Sequence, residues 1–596
     1  MRKLGTKASL TNRIPAGYAD VAERIMRQTL EALWFEGILD RSIAGRTWLT
    51  HGIGADGRPV AYSCEAEEKY AFGRVKIVKG SLRREGELCN DLYLFLEELL
   101  LGNLQGERVD SFIRELLETL AKDSQCREAL PDCIPDGDRH YDPLESHMTD
   151  GHPYHPSYKS RLGFTLKDNQ AYGPEFDRDI RLFWVAVKRE MTDSKLVPGF
   201  TAEEMYREHW TEQEARHFHR LLEEAVDGSA YVPIPVHPWQ WEHRIEPVFT
   251  RQRLNRELIP LGFSDGAYRA QQSIRTLSHR ERAQAPYIKL SLGITNTSTG
   301  RILAHHTTQN APLISEWLDG LIRKDELLQR ERFGILKEIM GVSFRYDGLP
   351  AIQRDSAYGS LGAIWRENVT VHLKQGEEAW PLNALTLVQQ NGVPFIRDAV
   401  LRYGVQAWSE TLVRTLTLPM IHLLYAHGIA LEAHAQNIVL VLEDGLPKRI
   451  IVKDLHDGVR FVPGKLRHPD RAPKLHPEPE AHRRFNRYSF IHAEAASEVR
   501  DYVYDAFFFI CMTEIALTLE TFGLAEREFW SLCAAVIVRY QRQFPEYRER
   551  FEEYDLFADD ALIEEMTKRR LYGDGELYFR KTSNPLRSAR ESLAPS

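Results

Sequence analysis

No two cysteines of this chain form a C-x-x-C pair. The six, Cys64, Cys89, Cys126, Cys133, Cys511 and Cys533, are scattered through 596 residues. That excludes zinc ribbons and thioredoxin-type sites and reads as reduced, intracellular usage. Long blocks of Lys or Arg are missing too. With 77 Lys+Arg against 86 Asp+Glu the formal net charge is −9, a poor balance for nonspecific nucleic-acid binding, and no nucleic-acid partner is expected. No apolar run approaches the ~20 residues that cross a bilayer; the densest is Ala506–Met512. The opening MRKLGTKASLTNRIPAGYAD lacks the apolar core of a secretion signal. These absences point to a soluble, cytoplasmic protein with no membrane partner. Internal repeats and low-complexity tracts are also lacking. Aromatics are not: 11 Trp, 24 Tyr and 26 Phe exclude disorder as the dominant state. A chain this long, 43% apolar, can bury a sizeable core.

Periodicity predicts an amphipathic helix over 18–36, with Val21, Ile25, Met26, Leu30, Leu33 and Trp34 on one face. Strand-like runs follow near Thr47, Val60 and Arg74–Val78. Between them Gly52–Gly57 matches G-x-G-x-x-G, but with no βαβ context it reads as a hairpin with an Asp-Gly turn. Asp91–Gly102 and Val109–Leu120 look helical. Pro131–Pro156, rich in Pro, Asp, Gly and His, reads as a long functional loop. Thr201-x-x-Glu204 is a capping box opening a helix to about Val226. Tyr231–Val236 and Tyr287–Leu292 read as strands, and 398–428 as a long helix ending at Gly428. Asn437–Leu442 and Arg449–Val452 form a hairpin across E-D-G, and the proline-studded 463–479 a surface loop or lid. Helices are expected over 494–522, 526–543 and 557–570. The fold class is α+β, with sheet in the middle and a helical C-terminal third.

Four constellations carry polar chemistry. In Lys289-Leu-Ser-Leu-Gly-Ile-Thr-Asn-Thr-Ser-Thr-Gly-Arg301 a strand lysine precedes a run of hydroxyl and amide side chains, then an arginine. Such a loop cradles phosphate oxygens while Lys and Arg offset their charge; it reads equally as a polar surface loop, and Walker A spacing is absent. Ser273 and Arg275 lie just upstream and add a donor and a cation. In Glu432-Ala-His434-Ala-Gln436-Asn437, alternation puts Glu432, His434 and Gln436 on one face if the segment is extended. The following hairpin carries Asn437 and Asp454 at its two sequence ends, where oxygen ligands from both suit magnesium. The segment Gly151-His-Pro-Tyr-His155-Pro-Ser157-Tyr-Lys159-Ser-Arg161 fits a two-histidine metal site, a carboxylate pocket or a proline-stiffened structural loop. Pro235-Val-His237-Pro-Trp-Gln240 reads as packing or site, and His305-His306 as structure.

Taken in order, GHPYHPSYKSR, VHPWQW, KLSLGITNTSTGR, EAHAQN and IIVKD resemble the NRPS-independent siderophore synthetases, the aerobactin synthetase (IucA/IucC) family. The resemblance runs from about residue 145 to Asn584, about three quarters of the chain. It implies a cupped-hand architecture: thumb 1–165, fingers with an antiparallel sheet 166–385, and a mainly helical palm 386–596. It implies ATP and Mg2+ as cofactors and a homodimer. The implied reaction adenylates a carboxylate of citrate or a related polycarboxylic acid. An amine or hydroxyl co-substrate then gives an amide or ester, with AMP and pyrophosphate released.

Carried over by motif, Ser273, Arg275, Lys289, Thr297, Ser298 and Arg301 hold ATP phosphates or the activated carboxylate. His434, Gln436 and Asn437 line the nucleotide and acyl site, with His434, Arg301 and Lys289 catalytic. Glu432, Asn437 and Asp454 are the metal candidates. His155, Lys159, Arg161, Arg301, His434 and Lys568 are the substrate candidates, with Lys581 behind Lys568. One departure stands out: the family often has Arg before the Asp of the strand end, and here it is Lys453. Two other classes remain open: a kinase-like phosphotransferase, against which stands Gln436 where a catalytic Asp belongs, and a non-catalytic citrate- or siderophore-binding protein.

Overall fold

A computed structural model describes residues 17–225, 230–297, 299–484, 490–573 and 577–593. Helix Tyr18–Phe35 buries the stripe that periodicity picks out, Val21 to Trp34. Strands Thr47–Ile53 and Pro59–Glu68 pair antiparallel, joined at Gly57 with φ +78°, so Gly52–Gly57 is a hairpin turn. They belong to a six-stranded N-terminal sheet.

The middle of the chain forms an eight-stranded sheet in which every pair is antiparallel. Its inner strands Tyr287–Leu290, Glu338–Phe344 and Gly362–Arg366 are buried throughout. Their near-continuous apolar composition fits elements covered on both faces. Helix His305–Ile322 packs against Glu338–Phe344 at backbone distance, since a Cβ on Gly341 would meet the Thr308 carbonyl at 1.8 Å. Trp184, Tyr206, Trp210 and Phe218 stack into an aromatic cluster of the same core.

A smaller sheet takes strands from far apart: Gly334–Ile335, Leu446–Val452, Ile438–Glu443 and Glu377–Pro381, in that order. It therefore joins chain on both sides of residue 385. Its hairpin registers Ile438 with Val452, and the Lys453 N–H donates to the Asn437 carbonyl at 2.9 Å. Asn437 and Asp454 thus leave the same open end.

The C-terminal third is mainly helical, with Ala496–Glu520 and Glu526–Gln543 at its centre. By length and composition Ala496–Glu520 could cross a membrane; 67% of its apolar window is buried inside the protein, as a core helix is.

Four expectations need correction. The span 557–570 is a strand, Asp560–Glu564, and a short helix, Met566–Tyr572, because Ala561 and Ile563 alternate inward and pair with Phe579–Ser583. The helix expected to Val226 is two, Ala202–Arg207 and Glu212–Ala225, split by a second Thr-x-x-Glu box in which Thr211 and Glu214 exchange backbone bonds. The span 398–428 breaks at Gly404, φ +79°. The loop 131–156 contains a helix, Tyr141–Ser146.

Candidate active site

The strand ends of both sheets and helix Ala496–Glu520 enclose a cavity of about 470 Å³. Lys289, on a fully buried strand, reaches its wall. Its Nζ lies 3.0 Å from Asp454 Oδ1, which also accepts from Arg366 Nη1 at 2.6 Å. Burial opposes ionisation of Asp454, yet Lys289 and Arg366 hold its carboxyl well below the usual range. Burial lowers Lys289 to about 8, against the pull of Asp454. Behind the lysine, Nζ meets His456 Nε2 at 3.2 Å and His456 Nδ1 meets Glu338, so a buried Glu–His–Lys–Asp–Arg line runs along the wall.

Arg275 and Arg301 stand differently. Neither makes an ion pair among the described residues. Arg275 donates to the Ile302 carbonyl at 2.7 Å and Arg301 to the Asn296 carbonyl at 3.4 Å, while Arg301 Nε is buried with no partner. Burial, then the charge of Arg301, lowers Arg275 to about 10; burial lowers Arg301 as well. Two partly desolvated guanidiniums without an ion-pair partner among the described residues form a socket for an anion.

Backbone strain collects here. Ile274, Thr297 and Asp454 have φ of +69°, +62° and +62°, left-handed geometry that an aspartate tolerates but that costs the β-branched Ile274 and Thr297 about 1–3 kcal/mol each. It turns Ser273, Arg275 and the loop after Asn296 toward one space. Ser273 Oγ accepts the Thr276 N–H at 3.2 Å. Across the cavity, burial followed by Asp457 and Asp454 pushes Glu432 up to about 7. Burial drops His434 to about 4, so its imidazole is neutral near pH 7. Asn437 gives its amide to the Glu432 carbonyl at 3.1 Å. The far side is acidic, lined by Glu498, Asp501, Asp505 and Glu564; burial and Glu564 raise the Asp505 carboxyl.

Ser273, Arg275, Lys289, Thr297, Arg301, Glu432, His434, Gln436, Asn437 and Asp454 all line this one cavity. Ser298 lies outside the described residues. Lys159 and Arg161 reach the lining but are spent on buried acids: Lys159 on Asp123 at 2.6 Å and Glu175 at 3.0 Å, Arg161 on Glu175 at 2.8 and 2.9 Å. His155 is not in the lining. Its Nδ1 accepts the Ser157 N–H at 3.2 Å, just as His152 accepts from Tyr154 and His237 from Trp239. Each His-Pro thus makes a side-chain-capped turn, which requires a neutral ring; burial lowers His152 and His237 to about 3. Lys568 pairs with Glu565 at 2.7 Å outside the lining, and its neighbour Arg569 lines the cavity instead. Lys581 is exposed. Lys453 turns away to Tyr141 at 2.7 Å and Glu145 at 2.8 Å. Sequence reasoning gave no role to Arg366, His456 or Asp457; the L-H-D-G following Asp454 was the available signal.

With this geometry in view, a family model described as "IucA / IucC family" matches residues 140–387, and one described as "Ferric iron reductase FhuF-like transporter" matches 406–579. A Staphylococcus aureus relative, named 2-[(L-alanin-3-ylcarbamoyl)methyl]-3-(2-aminoethylcarbamoyl)-2-hydroxypropanoate synthase, is 38% identical over 95% of this chain and 92% of its own. The chain belongs to the IucA/IucC family of siderophore synthetases. The crystal structure of the petrobactin biosynthesis protein AsbB from Bacillus anthracis superposes with a TM-score of 0.87 at 34% identity, covering 96% of both chains. ATP-bound aerobactin synthetase IucA from Klebsiella pneumoniae shares the fold, with a TM-score of 0.70 at 18% identity over 95% of this chain and 99% of its own. The α+β class holds across these IucA/IucC folds, with antiparallel sheet and a mainly helical C-terminal third.

Proposed function

We propose that this synthetase adenylates a carboxylate of citrate, or of a related polycarboxylic acid, with ATP and Mg2+, and passes the acyl group to an amine. In the first step a carboxylate oxygen bonds to the α-phosphorus and the bond to the bridging β-oxygen breaks, releasing pyrophosphate. In the second the amine nitrogen attacks the acyl carbon, AMP leaves, and the amine gives up a proton.

The observation that carries this reading is the pair Arg275, buried, and Arg301, half-buried, neither with an ion-pair partner among the described residues, beside Lys289 in one cavity. Both reactants are polyanions, and these cations offset their repulsion in a water-poor space. His434, neutral and with a pKa near 4, is a weak base; that favours donation of a hydrogen bond to a phosphoryl or carbonyl oxygen.

Glu432, Asn437 and Asp454, with Asp457, line the cavity, and their oxygens are of the type that would hold a magnesium ion. Burial first, then the charges of Asp457 and Asp454, raise Glu432, and a hard cation there would relieve the repulsion. When bound, magnesium supplies charge neutralisation at the phosphates. The acidic far side suits a nucleophile that arrives as an ammonium ion, which favours an amine over a hydroxyl. The family resemblance adds a homodimer to this reading, and the cysteine usage a cytoplasmic location.

The test is product release with ATP and magnesium across citrate, α-ketoglutarate, succinate and a no-acid control, with hydroxylamine as trap. AMP and pyrophosphate formed with one acid support the proposal and name the acid. ADP formation would instead indicate a phosphotransferase. No nucleotide use with any acid, including a citryl monoamide, would indicate a binding protein.

A further inference from the structure

A second group of metal-type donors lies away from this cavity. Helix Val405–His422 continues through a π-helical turn, Leu423–His427, closed by Gly428 at φ +74°. On a regular α-helix residues five apart face different sides, rotated by about 140°. The wider π turn brings the fifth residue back over the first, and such turns recur at functional sites. Here it sets His422 beside His427, ring centroids 5.4 Å apart. Asp325, N-cap of the short helix Glu326–Arg330, faces both rings. Its Oδ2 is 2.9 Å from His422 Nε2 and 2.8 Å from His427 Nε2, while Oδ1 accepts the Leu328 N–H. The rings are 3% and 5% exposed. His422 Nδ1 meets the Tyr540 hydroxyl at 2.7 Å, but His427 Nδ1 is buried with no partner among the described residues. A cavity of about 450 Å³ opens beside the cluster, lined by Glu316, Lys324, Asp325, His427 and His468 among others.

We propose that Asp325, His422 and His427 bind a first-row divalent transition-metal ion, with an open coordination position facing this cavity. The donor atoms lie within 4.8 Å of one another. Two imidazoles and one carboxylate suit zinc and its neighbours and are a poor set for magnesium. Hydrogen bonding accounts for the Nε2 contacts but not for the partnerless Nδ1, nor for the cavity. Metal binding needs the Nε2 lone pair on both rings, so each proton moves to Nδ1. On His422 it is then donated to the Tyr540 oxygen, the outer contact that commonly fixes a metal-bound ring. A divalent ion on these three ligands keeps a net positive charge, and water, an anion or His468 completes the shell. The ion would also act on the synthetase site by position. His427 and Gly428 lead into strand Ile429–Leu431, which delivers Glu432. Metal would lock the helix end from which that segment departs.

The test uses the full chain stripped with EDTA and titrated with cobalt(II). One equivalent should bind with a visible ligand-field band, zinc should displace it, and zinc should raise the melting temperature. Asp325→Asn keeps an oxygen for the Leu328 cap and His427→Gln keeps the volume; each should weaken cobalt binding at least about 100-fold. Asp454→Asn should leave it unchanged, which separates this site from the Glu338–Asp454–His456 group, whose donor atoms also converge. No band and no melting shift in the wild type would overturn the proposal. So would a band that survives both cluster variants or disappears with Asp454→Asn. If circular dichroism shows that a variant fails to fold, the wild-type titration decides alone.

Discussion

Lys289 shows how a single residue is prepared for its work. Placed on a buried strand it loses hydration, and among the described residues its Nζ is left with Asp454 and His456 as side-chain partners. Lys289→Ala removes one of the cations read as stabilising phosphate charge, while Arg366 still pairs Asp454. Pyrophosphate release is expected to fall by about 10²–10³-fold, the range for losing one preorganised donor, with an unchanged circular dichroism spectrum. Wild-type turnover in a folded variant would remove Lys289 from the site.

A pH consequence follows at the same residue. Its pKa is lowered to about 8, from an ordinary 10.5. The charged form is therefore lost as pH rises through about 8, and kcat/KM should decline on that limb. Lys289→Arg keeps its charge to higher pH; whatever its absolute rate, its alkaline limb should move upward. A limb at the same pH in both proteins would assign the titration elsewhere.

At the scale of elements, close approach decides what is tolerated. Gly341 lies where helix His305–Ile322 touches the central sheet, and a methyl group there would overlap the Thr308 carbonyl at 1.8 Å. Gly341→Ala should therefore destabilise by at least the about 1–3 kcal/mol typical of overpacking. A thermal melt would show it as a lower midpoint, and an unchanged midpoint would mean the helix slides freely on the sheet.

The same scale shows what a sequence reader can see. Helix Tyr18–Phe35, hairpin Ile438–Val452 and helix Glu526–Gln543 were legible because local period, turn residues and burial agree. The strand Asp560–Glu564 was not, because its partner Phe579–Ser583 follows only after an intervening helix. In the site, residues in dense polar runs, such as Lys289 and Arg301, or Glu432 to Asn437, were visible and lie on one cavity. Arg366 was hidden inside an apolar strand, and His456 in an ordinary-looking loop. The His-Pro pairs stand out in the sequence for their chemistry, yet in each the Nδ1 is occupied in a capping turn.

For the molecule as a whole, the hydrophobic cores do not follow the three segments of a hand. Residues from Val21 to Ala589 share one core, in which Phe35 stacks on Phe509 at 5.4 Å and Phe72 meets Phe509 and Trp530 at 5.6 Å. The eight-stranded sheet has its own core, from Ile180 to Trp365. Polar ties bind the chain's two ends further. Buried Glu36 accepts the Thr567 and Lys568 N–H groups at 2.9 and 2.7 Å, and Glu526 accepts those of Tyr70 and Ala71 at 3.1 and 2.8 Å. The candidate active site is lined by Lys289 of the eight-stranded sheet and by Ile510 and Cys511 of the larger core.

Residues 1–165 expressed alone should consequently fail to fold. Their aromatic side chains would lose the C-terminal half of their core, and buried Glu36 would lose its Thr567 and Lys568 donors and keep only the Tyr154 hydroxyl. Such a fragment should lack near-ultraviolet circular dichroism and bind a hydrophobic dye, whereas residues 166–385, which contain nearly all of the second core, should retain dispersed amide signals. A well-folded, monomeric 1–165 would show instead that the thumb is an independent domain, and that the aromatic contacts to Phe509 and Trp530 are a docking interface added to a core already complete.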